Sequence, residues 1–338
     1  MKILVTGGAG YIGSVIVNLA LKSGFKVKAV DALWYDKNVP IINFNDPNYE
    51  FKRLDIRDSV FLNECLEDVD FVVHTAAVVG EPAGKKFSDL TYRVNYEASK
   101  RLIDKLEEKQ VKGFIFLSTC SNYGISDGLI NETALLKPLS LYAETKVNIE
   151  RYLTNNAKSL DWVICRLSTA YGSSPRMRFD LTVNDFTVNA LLNKMLEVYL
   201  PKTYRPYIHV YDIARVILRI ISDFDRVKNN VFNVGFEGEN YQKYQIAEII
   251  EKFVPSTEIK IIKKGIDARN YKVDFSKLKK FLNIEKIHTV KSGVKEIVDL
   301  VEKGIITNYK DKKYYNTFLD LKEEIDYNAF LKSEIKAK

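Results

Sequence analysis

Four glycines fall within the eight residues Thr6-Gly7-Gly8-Ala9-Gly10-Tyr11-Ile12-Gly13. They follow the short β-branched run Ile3–Val5 and open a stretch, Tyr11 to Ser23, with apolar residues at helical spacing. A strand, a glycine turn and a helix in that order form the context a dinucleotide phosphate loop requires. Gly7 permits a tight turn, Gly10 lets the backbone approach a pyrophosphate, and Gly13 lets the helix pack closely on the sheet. Around Tyr11 and Ile12 the helix start offers free N–H groups and partial positive charge to phosphates. The apolar stretch Ile3 to Leu21 could pass for an export signal, but its glycines and the lack of a cleavage site favour the loop.

Asp31 closes the next predicted strand, Val27–Val30, about 20 residues beyond the loop, where a carboxylate accepts from both adenosine ribose hydroxyls. A carboxylate there repels a 2′-phosphate, so NAD is favoured over NADP; a turn or N-cap aspartate is the alternative. Asp55-Ile56 follows the third strand, where the acid either meets the adenine amino group or closes a plain turn.

Further predicted strands at Phe51–Leu54, Phe71–His74, Phe114–Leu117 and Trp162–Arg166 alternate with helical stretches Val60–Leu66, Tyr92–Lys109 and Leu141–Ala157. That alternation predicts an α/β chain with a Rossmann-type, doubly wound parallel sheet. After Gly172 the rhythm changes. A long helical pattern runs to about Leu200, then come a brief strand, a helix and a strand to Val234. The 338 residues suffice for about two domains. Residues 1–172 with about 204–234 form the expected NAD-binding domain; about 173–203 and 235–338 form a smaller mixed α/β substrate domain. The charged stretch from Leu319 is helix-prone.

Composition narrows the partners. Hydrophobic residues make up 46% and charged residues 28%, the balance of an ordinary globular protein. A net charge of +7 suits anionic small molecules, and no Lys/Arg block is dense enough for nucleic acid. No apolar run reaches the roughly 18–20 residues that span a bilayer. Cys65, Cys120 and Cys165 form no CxxC pair, so neither a disulfide framework nor a metal site is expected, and a reducing cytoplasm fits.

Tyr142 and Lys146 are spaced i, i+4 and share one helix face. A free tyrosine, with a pKa near 10, is a poor base at neutral pH. A neighbouring ammonium and a positive nicotinamide ring both favour the phenolate. Lys146 would also hold the nicotinamide ribose, and the Thr119 hydroxyl, at a strand end, can bond the same substrate oxygen. These groups can take a proton from an alcohol while its carbon gives up hydride. An amphipathic helix surface is the bland reading of YxxxK; the order of glycine loop, acid, Ser/Thr and YxxxK argues against it.

In these motifs the chain resembles an extended short-chain dehydrogenase/reductase of the NAD-dependent epimerase/dehydratase family, which acts on nucleotide sugars. The resemblance runs from Met1 to about Leu282. It matches Thr75, Ala76 and Ala77 to a stretch lining the cofactor, and Asn95 to a helix asparagine of the cofactor site. Ser118 to Gly124 matches the serine/threonine motif. Arg205 in Arg205-Pro206-Tyr207 and Arg269 after Asp267-Ala268 resemble two clamps on the substrate diphosphate. Arg176 and Arg178 could also meet phosphates, with a surface salt bridge as the alternative for each. The stretch Ser174 to Phe186 resembles a branch that modifies unusual sugar nucleotides, including GDP-heptose C4 oxidation.

The resemblance implies oxidation at C4 of a sugar, a homodimer built from the helices near Tyr92–Lys109 and Leu141–Ala157, and a nucleotide-sugar substrate. A 4,6-dehydratase needs an acid/base pair where this chain has Cys120 and Ser121, so dehydration is disfavoured. An NAD-dependent epimerase is the leading reading, and a C4 dehydrogenase the alternative. A non-catalytic NAD sensor has no need of Thr119, Tyr142 and Lys146 together. Cys120 reads as a packed side chain rather than a proton carrier. His74 and His209 read as structural histidines bonded to backbone rather than general bases.

Overall fold

The computed structural model describes residues 1–109, 111–263, 265 and 269–318. Its strands, in chain order, are β1 (Lys2–Thr6), β2 (Lys26–Asp31), β3 (Tyr49–Arg53), β4 (Phe71–His74), β5 (Gly113–Thr119), β6 (Ile125–Ile130) and β7 (Trp162–Leu167). Then follow β8 (Thr169–Tyr171), β9 (Met195–Tyr199), β10 (Tyr204–His209), β11 (Asn230–Val234), β12 (Asn240–Gln242), β13 (Glu258–Ile262) and β14 (Asn270–Val273).

Seven strands form one sheet in the order β11-β7-β5-β4-β1-β2-β3, with every neighbouring pair parallel. This is the doubly wound, Rossmann-like sheet the strand–helix alternation predicts. Parallel pairing needs long crossovers, and the helices that make them bury both faces. Alternation along β1 sends Ile3 and Val5 into one core with the helices Gly13–Lys22 and Val210–Ser222. Leu4 goes to the other face, with Leu102 and Leu106 of the helix Ser99–Lys109 and Ile149 of the helix Leu141–Asn156. Strand order reverses between β1 and β4, so a crevice opens beyond their carboxyl ends, the usual ligand position in such sheets.

A separate core joins the helices Thr182–Asn193, Lys243–Glu251 and Val290–Glu302 to β9 and β10. The long helix expected to run to about Leu200 is corrected here. It stops at Asn193, Lys194 turns through a left-handed φ of 54°, and the chain continues as β9. Pairing with β13 decides this: Leu196 and Val198 bury their side chains while Met195 and Tyr199 face outward. Periodicity in so short an apolar run does not separate strand from helix. Among the described residues, no helix is long and apolar enough to cross a membrane.

Candidate active site

The glycine loop leaves β1 at Thr6. Gly7 has a φ of +70°, and a Cβ there would lie 2.6 Å from Thr75 Oγ1 and 2.7 Å from Ala76 N. Only glycine combines that backbone with that crowding. A Cβ on Gly13 would strike the Gly7 carbonyl oxygen, so Gly13 is tight against the loop itself rather than against the sheet, as its spacing had implied. Thr75 Oγ1 donates to the carbonyls of Thr6 (2.6 Å) and Gly7 (3.1 Å), stitching β4 to the loop at the switch point. No side chain caps the helix that begins at Gly13, and its first turn holds no acid, so its N-terminus remains a ready anion site.

Every residue predicted to meet the cofactor except Asn95 lines one continuous cleft over this loop. Asp31 ends β2 in that cleft and accepts from the N–H groups of Leu33 (2.8 Å) and Ala9 (3.1 Å); burial raises its carboxyl above the ordinary range. Asp55 lines the cleft too, but it also grips Arg57 through Nε (3.0 Å) and Nη2 (2.8 Å). Asn95 is buried in the π-helical turn Arg93–Ala98, where it accepts from Val78 N at 2.8 Å and donates to Val78 O at 2.9 Å. It holds the segment after β4 in place and does not line the cleft.

Ser140 caps the helix Leu141–Asn156 by accepting from Ala143 N. The cap sets Tyr142 in the first turn and Lys146 one turn on, both facing the cleft. Tyr142 shares a hydrogen bond with the Thr119 side chain at the end of β5. Burial pushes the phenol up to about 12; against burial act the charge of Arg178, the Thr119 bond and the charge of Arg269. Lys146 donates from Nζ to Leu117 O at 2.8 Å, and burial brings its ammonium down to about 7. Arg178 and Arg269 thus bear on Tyr142, which the YxxxK spacing did not reveal.

Beneath these groups lies a polar knot that sequence reasoning missed. Glu150 accepts from Ser118 Oγ, from Asn122 Nδ2 (2.8 Å) and from both Nε and Nη2 of Arg166. Glu150 stands four residues beyond Lys146 as Lys146 stands four beyond Tyr142, which puts it on the same helix face but does not name its partner. Arg166 reaches on from β7 to Tyr123 Oη at 2.9 Å. Cys120 is buried beside it, its Sγ donates to Arg166 O at 3.2 Å, and burial pushes the thiol far up. That is the packed side chain expected.

Beyond Tyr142 stand the two arginines of the expected clamp. Arg269 donates from Nη1 to Ser121 Oγ at 2.8 Å and pairs through Nε with Glu81 at 2.9 Å. Arg205 donates to the carbonyls of Tyr204 and Arg269, with its guanidinium 5.2 Å from the Tyr271 ring centre. Asp267 and Ala268 lie outside the described residues. Arg178 lines the dinucleotide cleft, locked to Asp180 at 2.8 and 3.0 Å. His74 is structural, but its partners are the hydroxyls of Thr6 (2.7 Å) and Ser99 (2.9 Å) rather than backbone, and burial keeps it neutral by lowering its pKa to about 3. His209 bonds backbone as expected, its Nδ1 accepting from Tyr211 N, and its other nitrogen meets the Glu296 carboxylate at 2.8 Å.

A parallel sheet with a glycine loop at its switch point and a Thr/Tyr/Lys group at the cleft's end define a short-chain dehydrogenase/reductase. Residues 3–235 match the NAD dependent epimerase/dehydratase family, and the chain belongs to it. It is 32% identical over 179 residues to the UDP-glucose 4-epimerase of Lactobacillus helveticus, covering 52% of this chain and 53% of that one. Over 317 residues, 89% of this chain and 96% of the other, it is 28% identical to the UDP-glucuronate 4-epimerase of Thermodesulfobacterium geofontis. The crystal structure of the UDP-glucuronic acid 4-epimerase from Bacillus cereus, in complex with UDP-glucuronic acid and NAD, superposes with a TM-score of 0.79 at 25% identity. That match covers 90% of this chain and 99% of the other.

NAD is the cofactor of the family, and the cleft fits it. The uncapped helix start suits its phosphates, the Asp31 carboxylate suits the adenosine ribose, and Lys146 lines the same cleft.

Proposed function

We propose that this protein is an NAD-dependent nucleotide-sugar epimerase, which oxidises its sugar at C4 and reduces the ketone again from the other face. The observation that carries this reading is the meeting of two sites at Tyr142. The dinucleotide cleft ends on Tyr142 and Lys146, and Thr119, Ser121, Arg269 and Arg205 continue from it. Bound NAD supplies the acceptor and donor of hydride at C4. Tyr142 takes the proton of the C4 hydroxyl, and Thr119 holds that oxygen. Arg178 and Arg269 offset the burial that resists ionisation of the phenol. Arg205 and Arg269 take the diphosphate of the substrate, because guanidinium forks match phosphate oxygens. Cys120, a buried thiol, and Ser121, engaged by Arg269, offer no acid/base pair for elimination, which favours epimerisation over 4,6-dehydration.

We assign NAD binding to residues 1–172 and about 204–234, and sugar binding to the remainder. The same reading makes the protein a cytoplasmic homodimer.

Product mass spectrometry tests the reaction on a panel of UDP-, GDP- and dTDP-sugars in heavy water. An unchanged carbon skeleton and oxidation level with altered chromatographic position supports epimerisation. A product two hydrogens lighter, with NADH accumulating, would replace it with C4 dehydrogenation. Tyr142→Phe should lower kcat by about 10²–10⁴-fold while NAD remains bound; near-normal turnover would remove Tyr142 from its role.

A further inference from the structure

Arg176 is used by nothing described so far. It is 3% exposed, and among the described residues its buried Nε and Nη2 have no hydrogen-bond partner. Arg178, two residues on, is locked to Asp180. Arg176 instead lies over the Tyr35 ring, 4.1 Å from its centre, and lines the cleft with Asp31 and Tyr35. An aromatic face positions a guanidinium plane but does not satisfy its N–H donors.

The loop that carries it is fastened to the phosphate loop. Ser174 donates to Tyr11 O at 2.7 Å, and its Oγ lies 3.2 Å from Ser14 Oγ in the first turn of the uncapped helix. The loop is backed from outside as well. Phe179 N donates to Tyr314 O, and Asn316 donates from its backbone to Asp180 and from its side chain to Val79 O. Silent guanidinium donors, whose charge burial and then the neighbouring Arg178 disfavour, and an uncapped helix start thus share one cleft. This arrangement is costly until an anion enters it.

We propose that Arg176 binds the diphosphate of the dinucleotide, supplying side-chain donors to the same anion that the glycine loop meets with backbone N–H groups. The diphosphate is the anionic group of NAD. A phosphate on the adenosine ribose would instead face the Asp31 carboxylate. The loop after β8, expected to serve the sugar, thereby also closes over the cofactor and slows its escape. The inference rests on NAD as the family's cofactor and not on the epimerase reading. Failure of that reading would appear in the product assay and leave the affinities below unchanged.

Calorimetric titration of the full chain, stripped of co-purified nucleotide, tests it with NAD, ADP-ribose, NADP and adenosine. Arg176→Gln should weaken NAD and ADP-ribose about 10- to 100-fold, the value of charge-assisted hydrogen bonds, and leave adenosine unchanged. Arg176→Lys, which keeps the charge, should fall between. The melting temperature of the cofactor-free Gln variant should hold or rise, because an unsatisfied buried charge has been removed. NAD affinity within about twofold of wild type would overturn the proposal, as would a loss confined to NADP. A cofactor-free variant that melts earlier and loses adenosine equally would make Arg176 a structural residue and overturn it too.

Discussion

Lys146 is buried, with no ion pair to a carboxylate among the described residues; it donates to the Leu117 carbonyl, and burial lowers its pKa from 10.5 to about 7. The unfolded chain keeps that proton up to about 10.5, whereas the folded chain releases it near 7. Between those values the unfolded state binds more protons, so stability rises with pH. Cofactor-free protein should therefore gain on the order of 1–2 kcal/mol between pH 7 and pH 9 in urea unfolding, and Lys146→Met should lose most of that gain. Equal gains in both proteins would place the titration elsewhere. Gly13 belongs at this scale too. Gly13→Ala would drive a methyl group into the Gly7 carbonyl, which is backbone and cannot swing away. Destabilisation of about 1–3 kcal/mol by thermal melting is expected, with loss of NAD binding by titration.

The helix Leu141–Asn156 gathers the chemistry on one face, with Tyr142, Lys146 and Glu150 at successive turns. Its first two groups were legible because their order along the chain, after the glycine loop and the strand-end threonine, carries the signal. Glu150 was not, since its meaning depends on Arg166 arriving from β7, sixteen residues away in sequence and adjacent only through the β5–β7 pairing. Glu150→Leu should cost about 3–5 kcal/mol in denaturant unfolding, because Arg166 would be left buried and uncompensated. The double change Glu150→Leu with Arg166→Met should recover much of that loss, and failure to recover would mean the other partners of Glu150 dominate. Asn95 shows the same limit from the other side. Its motif marked it as a cofactor residue, while the π-helical turn aims its amide at Val78, so it shapes the cleft from behind.

For the molecule as a whole, light scattering should return twice the 38.9 kDa chain mass if the helices Ser99–Lys109 and Leu141–Asn156 pair with those of a second copy. A monomer at micromolar concentration would refute the proposed dimer. The parallel sheet and the place of the dinucleotide loop were determined by sequence alone. Each rests on local signals: β-branched runs, helical periodicity, and glycines that only certain backbones need. The end of the helix at Asn193, the lock of Arg178 onto Asp180, the arginines acting on Tyr142 and the silent donors of Arg176 were decided by tertiary structure. These depend on which strand pairs with which, and on how deeply a charge is buried beside another. Burial and pairing join residues far apart in the chain, where no periodicity or spacing records the contact.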